Sequence, residues 1–297
     1  MEHLARHLER IRAYRPDLAH VTVQVSSEGQ VNDVVIFGGE WVARFPKNDW
    51  ARQRLVQESR ILDLVRRHVS LPVPVFEHPA DDFVMYRLLP GAALTQREIL
   101  GQAERVQAQI VEQLAAFLRQ LHTIPRSEVE QHGITTADSA RGPAEWEAMF
   151  REAERELFPL LMADAREWVT GLFAPVLEGR LSLEHTLTLI HGDLGPYHLL
   201  FDREQKRLNG VIDFGTGGLG DPADDFACLI NALGESFLRR MAEFYPEIEA
   251  AIDRARFMAG TLEVQWALGG LRTKDLSWFT VHLGRARDVR PMGAAWG

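Results

Sequence analysis

The sequence is poor in cysteine and has no long apolar run. Cys228 is its one cysteine, so neither an internal disulfide nor a zinc site built from cysteines is possible. No stretch reaches the roughly 18 apolar residues of a membrane-spanning helix. The first turn mixes apolar and charged positions, unlike the apolar centre of a secretion signal. We therefore expect a cytoplasmic protein without a membrane partner.

Basic residues are also scarce, with 33 Lys and Arg against 42 Asp and Glu and a formal net charge of −9. A nucleic-acid partner is disfavoured, because phosphate backbones reward clustered basic side chains. Polycationic small molecules are a better electrostatic match. The 46% hydrophobic and 25% charged fractions are ordinary for a globular protein. A chain of 297 residues suggests about two domains.

Alternating apolar residues predict a β-rich first part. Residues 21–25 alternate valine with polar side chains, as in a half-buried strand. Two further apolar runs, at 31–37 and 41–45, are separated by Gly38-Gly39, which favours a hairpin turn. Another strand is expected at 83–89. Short turns between successive strands predict an antiparallel meander.

Helical spacing dominates the rest of the chain. Apolar residues from Val106 to Leu121 recur at every third and fourth position, as on the buried face of a helix. Pro90 and Gly91 interrupt regular structure and suggest a domain boundary. The expected fold class is α+β, with a small lobe over residues 1–88 and a larger, mainly helical lobe over residues 89–297.

Two short motifs carry the chemistry. His191-Gly-Asp193 and Val211-Ile-Asp213-Phe-Gly each follow an apolar run, and the two aspartates lie 20 residues apart. Both motifs resemble loops of kinases, and the phosphoryl transfer that this resemblance implies needs one carboxylate to orient the attacking hydroxyl and others to hold a metal on the phosphates. Mg²⁺ prefers such oxygen ligands. Asp193 fits the first role and Asp213 the second.

These motifs resemble the catalytic and metal loops of the protein-kinase-like superfamily, in particular those of the aminoglycoside phosphotransferase family. They are closest to the motifs of aminoglycoside 2''-phosphotransferases and macrolide phosphotransferases. The resemblance implies a protein-kinase-like two-lobe fold, an antibiotic-resistance kinase and Mg²⁺ as cofactor. It makes Asp193 the catalytic residue that orients the acceptor hydroxyl and Asp213 a metal ligand.

Position 198 departs from the family pattern. The family usually has Asn five residues after the catalytic aspartate, whereas this sequence has His198. Imidazole is softer than an amide oxygen and suits zinc or transition metals better. We expect His198 to join Asp213 at the metal, with the alternative that it only hydrogen-bonds Asp193 or a phosphate.

Two regions of the small lobe resemble the family's phosphate-binding positions. Ser27, Gly29 and Asn32 belong to the turn that would approach the phosphates, where glycine lets backbone amides come close. Arg44 stands where kinases have the lysine that contacts the α- and β-phosphates, and a guanidinium can fork across two oxygens. Glu58 would be its ion-pair partner.

Two further segments resemble family positions. Met85 and Arg87 occupy the hinge segment, where backbone groups would meet the purine and Met85 would border its pocket. The phosphate donor is ATP or GTP. Gly220-Asp-Pro-Ala-Asp224-Asp225 resembles the stretch that follows the metal loop, and its aspartates would fix that loop and cap the next helix.

Acidic and aromatic residues after the metal loop are candidates for the acceptor site. Glu235, Glu263 and Asp275 could bind ammonium groups, and Trp266 and Trp278 could cover sugar rings. Together with the catalytic aspartate they would bind an aminoglycoside, in keeping with the acidic net charge. The expected partners are an aminoglycoside or macrolide antibiotic and a nucleoside triphosphate, and the expected state is a monomer.

Several alternatives stay open. A macrolide 2'-phosphotransferase or another small-molecule kinase would differ only in its acceptor site. A pseudokinase would bind nucleotide without turnover, a possibility that Arg44 and His198 raise. Residues 215–220 spell a dinucleotide-binding fingerprint, although Asp213 would place negative charge beside the pyrophosphate. The histidines and aspartates of the two loops could instead form the mixed-ligand site of a metal hydrolase.

Overall fold

An antiparallel sheet comes first in the chain, and helices dominate the remainder. The computed structural model describes residues 2–26, 31–79, 82–274, 292–293 and 295. The helices are α1 (Glu2–Tyr14), α2 (Asp49–Val65), α3 (Gln96–Leu100), α4 (Glu104–His122), α5 (Arg126–Gln131), α6 (Pro143–Glu152), α7 (Ala163–Leu177), α8 (Ala223–Leu233), α9 (Glu235–Ala242) and α10 (Ile248–Thr273). The strands are β1 (Val23–Ser26), β2 (Asn32–Phe37), β3 (Trp41–Pro46), β4 (Phe76–Pro79), β5 (Val84–Arg87), β6 (Ala92–Ala93), β7 (Thr188–Ile190), β8 (Leu199–Asp202), β9 (Arg207–Val211) and β10 (Gly218–Gly220). Turns of 3-10 helix cover Pro16–Leu18, Phe158–Leu160 and Pro196–His198, and a π-helical turn covers Ala153–Leu157.

The first sheet has two different faces. Its strands lie in the order β1, β2, β3, β5, β4, all antiparallel. The register pairs Arg44 with Val84 and Val42 with Tyr86, so these side chains share one face. The opposite face, which includes Met85, is buried with α1 in an apolar cluster. The predicted antiparallel meander is confirmed.

Helix α2 covers the face of the sheet that carries Arg44. The Asn48 side chain accepts the N–H of Ala51 at 2.8 Å and so satisfies one of the free donors of the first turn. Leu55 packs with Val42 and Tyr86 in a small apolar cluster. Burial of this helix face leaves the fully buried Glu58 directed at the guanidinium on β3.

Two small sheets in the second part of the chain anchor the motif loops. Strand β7 ends immediately before His191, and β9 ends two residues before Asp213. Strand β10 follows the second loop and pairs antiparallel with β7, with Gly218 opposite Ile190. The two loops are therefore held side by side. Helix α4 supports them from the core, and its apolar residues are buried as the spacing predicted.

The pairing of β10 with β7 is incompatible with the dinucleotide-binding interpretation of residues 215–220. In that fold the fingerprint joins a strand to a helix within a parallel βαβ unit. Here Gly218–Gly220 is an antiparallel strand, and α8 begins only at Ala223. The predicted α+β class is confirmed, whereas the boundary between residues 88 and 89 stays a prediction. None of the helices in the described part of the chain has both the length and the apolar character needed to cross a bilayer.

Candidate active site

The loop after β7 is held by a buried aspartate of α8. Asp225 is fully buried, and its two oxygens accept the backbone N–H groups of His191 at 3.0 Å and Gly192 at 2.8 Å. His122 of α4 contacts the same carboxylate at 3.0 Å. Burial opposes ionisation, but the hydrogen bond and charge of His122 hold the pKa of Asp225 below its usual range. The loop therefore enters the site in a fixed orientation.

His191 links this loop to the next one. Its Nε2–H donates to the carbonyl of Ile212 at 3.0 Å, and its Nδ1 accepts the N–H of Asp193 at 3.3 Å. These partners assign the tautomer. Burial lowers the pKa of His191, so its neutral ring can donate and accept at once. Both ring nitrogens of His191 therefore form hydrogen bonds with backbone groups and do not offer a lone pair to a metal. The metal-hydrolase alternative thus loses one of its proposed ligands.

Asp193, His198 and Asp213 form one cluster. His198 Nδ1 donates to the carbonyl of Asp193 at 2.7 Å, and His198 Nε2 lies 3.5 Å from Asp213 Oδ2. Burial raises the pKa of Asp193. Burial also opposes ionisation of Asp213, but the hydrogen bond from His198 and the charge of Arg44 hold its pKa well below the usual range. Asp213 also has a left-handed backbone, with φ of 67°, a conformation that Asp tolerates better than most residues.

The sheet contributes a buried cation to this cluster. Arg44 Nη1 donates to Glu58 Oε1 at 2.8 Å, and Arg44 Nη2 lies 3.6 Å from Asp213 Oδ1. Burial by itself would lower the pKa of Arg44, but the charge of Glu58 outweighs it and the net shift is upward. The Arg44–Glu58 pair expected from the sequence is thus present, and it connects the sheet to the loop that carries Asp213.

The His198–Asp213 pair fits the Mg²⁺ that the resemblance implies. Burial lowers the pKa of His198, but the hydrogen bond and charge of Asp213 outweigh it and the net shift is upward. Nε2, which lies 3.5 Å from Asp213 Oδ2, would therefore bind a metal only after it releases its proton. Octahedral Mg²⁺ holds its ligands at about 2.1 Å, so neighbouring ligand atoms lie about 3 Å apart. Within the described chain, no group of three or more His, Cys, Asp or Glu side chains is arranged to hold a metal by itself. Two protein ligands completed by phosphates and water suit Mg²⁺.

Tyr197 is a contact of Asp193 that the sequence reasoning missed. Its hydroxyl donates to Asp193 Oδ1 at 2.8 Å, and its side chain is half-exposed. The ring lies over Gly195, where any Cβ would collide with it. The hydrogen bond and the ring contact have the same cause. Tyr197 lies in a short turn two positions after Gly195, so its ring packs over that glycine and its hydroxyl reaches Asp193. The sequence signal was a tyrosine four residues beyond the aspartate, directly after Gly195 and Pro196.

A cavity of about 230 Å³ opens beside Asp193, between the catalytic loop, residues 138–141, α8 and α10. Trp266, which the sequence analysis proposed for the acceptor site, lines this cavity, and so do the acidic residues Asp138 and Asp224 and the basic residue Arg141. Ser139 Oγ donates to Asp224 Oδ2 at 3.0 Å, and burial raises the pKa of Asp224 to about 8. Asp138 lies 2.5 Å from Arg54 of α2. The sequence reasoning had assigned Asp224 only a supporting role.

The structure does not bring Glu235 or Glu263 to this cavity. Glu235 is fully buried and accepts two hydrogen bonds from Arg256, at 2.7 and 2.9 Å. Glu263 is 2% exposed and is not among the residues that line the cavity. Their expected role as exposed ammonium ligands is therefore corrected. For Glu235 the reason is its partner, because Arg256 of α10, 21 residues later in the sequence, neutralises its charge inside the core.

Two of the expected nucleotide contacts also lie elsewhere. Met85 is fully buried on the α1 side of the sheet, away from Arg44. Arg87 is exposed, contacts Glu40 at 2.9 Å and covers the ring of Trp41 with its guanidinium 4.0 Å from the ring centroid. Strand alternation explains both positions, because residues 84 and 86 share the face of Arg44 and residues 85 and 87 do not. Tyr86 is thus the better-placed side chain of this segment.

The other expected contacts of the small lobe divide into two groups. Asn32 lies on the same face of the sheet as Arg44, is 6% exposed, and has no hydrogen-bond partner for Oδ1 among the described residues. Ser27 and Gly29 lie outside the described residues, as do the acceptor-site candidates Asp275 and Trp278.

Known sequences resemble most of the chain. A family model described as "Phosphotransferase enzyme family" matches residues 22–258. A viomycin phosphotransferase from Streptomyces vinaceus is 28% identical over 260 residues, which are 84% of this chain and 87% of that protein. An aminoglycoside 3'-phosphotransferase from Escherichia coli is 27% identical over 59% of this chain and 64% of its own length.

Solved structures share the fold over nearly the whole length. The GDP and kanamycin complex of APH(2")-IIIa superimposes with a TM-score of 0.83 at 26% identity, covering 93% of this chain and 95% of that one. A macrolide 2'-phosphotransferase from Brachybacterium faecium, at 18% identity, shares the fold with a TM-score of 0.70 over 96% and 99% of the two chains. The predicted protein-kinase-like fold is thereby confirmed. With a family model that spans both the sheet and the two loops, the chain belongs to the phosphotransferase enzyme family.

Proposed function

We propose that this chain transfers the γ-phosphate of ATP or GTP to a hydroxyl of an aminoglycoside in a magnesium-dependent reaction. The observation that carries the proposal is a continuous line of contacts from Arg44–Glu58 through Asp213 and His198 to Asp193. It connects a cation of the sheet to both loops, so phosphates and acceptor can be held by one rigid set of groups.

In the proposed reaction the acceptor hydroxyl donates a hydrogen bond to Asp193. Its oxygen bonds to the γ-phosphorus while the bond from phosphorus to the β-phosphate oxygen breaks, and its proton passes to the Asp193 carboxylate. Arg44 binds phosphate oxygens from the side of the sheet. Asp213 and His198 are the residues that would hold Mg²⁺, which neutralises phosphate charge when it is bound.

The cavity beside Asp193 supports a cationic, hydroxyl-bearing acceptor. Its lining has three carboxyl groups, those of Asp138, Asp193 and Asp224, against one cation, Arg141. Trp266 adds an apolar ring face, and this combination suits amino sugars. The 26% identical structural neighbour that was solved with GDP and kanamycin supports both a nucleotide donor and this acceptor class. Asp224 is here a proposed acceptor contact in place of Glu235 and Glu263.

A coupled assay of nucleoside diphosphate release tests the proposal. Kanamycin, viomycin, a macrolide and a small alcohol are each offered with ATP and with GTP, and products are identified by mass spectrometry. We expect an aminoglycoside to stimulate release and to gain one phosphate. Asp193→Asn should keep nucleotide affinity and lower kcat by about a thousandfold. An unchanged kcat in this variant would remove Asp193 from the proposed role.

The same assay separates the remaining alternatives. Nucleotide binding without turnover in any mixture indicates a pseudokinase, and phosphorylation of the macrolide alone indicates the other antibiotic class. Chelation should abolish turnover, and Mg²⁺ should restore it. Because an amide oxygen is a harder ligand than imidazole, His198→Asn should lower the ratio of Mn²⁺-supported to Mg²⁺-supported activity. An unchanged ratio would place His198 outside the metal site.

A further inference from the structure

Gln57 of α2 is a buried polar residue that the proposed chemistry does not use. It is 5% exposed and precedes Glu58 directly. Its Nε2 donates to the carbonyl of Gly217 at 3.0 Å. Its Oε1 accepts from Thr135, at 2.8 Å from Oγ1 and 3.2 Å from the backbone N–H. One amide therefore spans the gap between the helix of the first part of the chain and two segments of the second part.

Gly217 belongs to the turn that begins at Asp213. Its N–H donates to the carbonyl of Phe214 at 3.0 Å, which closes this turn. A Cβ at Gly217 would lie 2.8 Å from the carbonyl oxygen of Ile190 and 3.2 Å from that of His191. The turn is thus packed against the start of the catalytic loop with no spare room. The hydrogen bond from Gln57 to Gly217 therefore helps to fix the positions of both motif loops.

Thr135 belongs to the same hydrogen-bonded ladder. Leu219 of β10 donates its N–H to the carbonyl of Thr135 at 2.9 Å, and Ala137 donates back to the carbonyl of Leu219 at 3.0 Å. The segment 135–137 is therefore an extension of the sheet that anchors the two loops. The two ends of the Gln57 amide contact this single unit at two points, which fixes both the position and the rotation of α2 against it.

We propose that Gln57 is a positioning residue for phosphoryl transfer, because it sets the separation between Arg44–Glu58 and Asp213. This inference rests on the proposed function. Glu58 is the next residue of the same helix and holds Arg44, so a shift of α2 moves Arg44 relative to Asp213, from which it lies 3.6 Å. Since positioning supplies most of the catalysis in this reaction class, a small displacement lowers the rate without unfolding the protein.

Other contacts keep α2 attached when Gln57 is changed. Arg60 Nη1 donates to the carbonyl of Gly133 at 2.9 Å, and Arg54 pairs with Asp138. Gln57→Leu should therefore leave the helix docked but free to shift, because the Gly217 carbonyl loses its side-chain donor. Thr135→Val is the milder test, since it removes only the hydroxyl donor at an exposed residue. Gln53→Leu is the matched control, because Gln53 is an exposed glutamine one turn earlier on α2.

The experiment measures kcat, the KM values for nucleotide and acceptor, and the urea unfolding midpoint for the four proteins, wild type included. We expect Gln57→Leu to lower kcat about tenfold, as the loss of one or two hydrogen bonds in the transition state would do. Thr135→Val should lower it about threefold, and Gln53→Leu should leave it unchanged. The acceptor KM should stay within about twofold throughout, because none of the three substituted residues lines the acceptor cavity.

Two results would overturn the inference. In the first, Gln57→Leu has the same kcat as Gln53→Leu and differs only in a lower unfolding midpoint. Gln57 would then have a purely structural role. The other is a fall in kcat/KM that comes entirely from the acceptor KM. If Gln57→Leu does not fold, an unchanged kcat in Thr135→Val decides against the inference. A wild-type protein that turns over no acceptor would instead refute the proposed function and the inference with it.

Discussion

Removing the charge of Glu58 tests whether the Arg44–Glu58 pair serves stability, nucleotide binding or both. The Glu58 side chain is fully buried and that of Arg44 is 10% exposed, so Glu58→Gln changes charge with little change in shape. At an effective dielectric constant of about 20, the 2.8 Å contact carries a gross attraction of about 6 kcal/mol. Desolvation cancels part of this attraction. Breaking a buried pair from one side costs about 3 to 5 kcal/mol.

We expect the lower end of that range, about 3 kcal/mol, because Arg44 keeps its weaker contact with Asp213 at 3.6 Å. Urea denaturation at neutral pH measures the loss of unfolding free energy, and a thermal scan should show a midpoint lower by about 6 °C. Glu130→Gln is the control, since Glu130 pairs with Arg126 at 2.7 Å on the surface. An exposed pair of this kind should contribute less than about 1 kcal/mol.

A second variant separates binding from stability. Arg44→Met combined with Glu58→Leu replaces the pair by apolar side chains, which is often neutral or stabilising at a buried site. This protein should unfold like the wild type but should bind nucleotide at least about tenfold more weakly, as expected from the loss of a charged hydrogen bond. Wild-type nucleotide affinity in the double variant would refute the role of Arg44 at the phosphates. A loss below about 1 kcal/mol in Glu58→Gln would mean that the buried pair stabilises the fold no more than an exposed pair does.

Three further changes have defined outcomes. Tyr197→Phe removes the 2.8 Å hydrogen bond to Asp193; steady-state kinetics should show kcat lower by about three- to tenfold, with an unchanged unfolding midpoint because the ring is half-exposed. Asp224 has a pKa of about 8 in the fold against about 3.9 in an unfolded chain, so the folded state binds the extra proton and stability falls as pH rises between these values. Asp224→Asn should therefore melt at a higher temperature than the wild type at pH 8 and have a higher KM for a cationic acceptor; equal melting at pH 8 would contradict the raised pKa. Asp225→Asn replaces an oxygen that accepts a loop N–H by a donor, and urea unfolding should show a loss of about 3 kcal/mol.

Local signals were sufficient for the elements and for the chemistry-bearing loops. Strands β2, β3 and β5 follow short apolar runs, and β3 is buried on both faces of the sheet. Helix α4 follows three-four spacing, because it buries one continuous face. Asp193, His198 and Asp213 come together because the loop of Asp213 leads into β10, which pairs with β7, the strand before the loop of Asp193, and because Ile212 donates its N–H to the carbonyl of His198. The Arg44–Glu58 pair was predicted from the resemblance alone, since a separation of 14 residues between a strand and a helix has no local signature.

Side-chain direction on the sheet could not be assigned from the hinge segment by itself. Which residues of β5 face Arg44 depends on the pairing of Arg44 with Val84, a contact across 40 residues of sequence. Met85 and Arg87 are one residue out of phase with that pairing, and a shift of one position exchanges the two faces of a strand. The side chain of Tyr86 lies on the same face of the sheet as that of Arg44.

The net charge pointed to a cationic acceptor, but most of the buried acidity is used inside the protein. Glu58, Glu235 and Asp225 are fully buried, and each is matched by an arginine or a histidine. These carboxylates are neutralised by partners remote in sequence, so counting acidic residues along the chain cannot identify the acceptor site. Asp224 differs from them because its close partner is the hydroxyl of Ser139 and its pKa is raised to about 8. The charge of Arg141, which lines the same cavity, offsets this rise only in part. A cationic acceptor bound there would add positive charge and favour release of this proton. The proposed selectivity for a cationic acceptor would then depend on this one carboxyl group, which ionises on binding, more than on the net charge of −9.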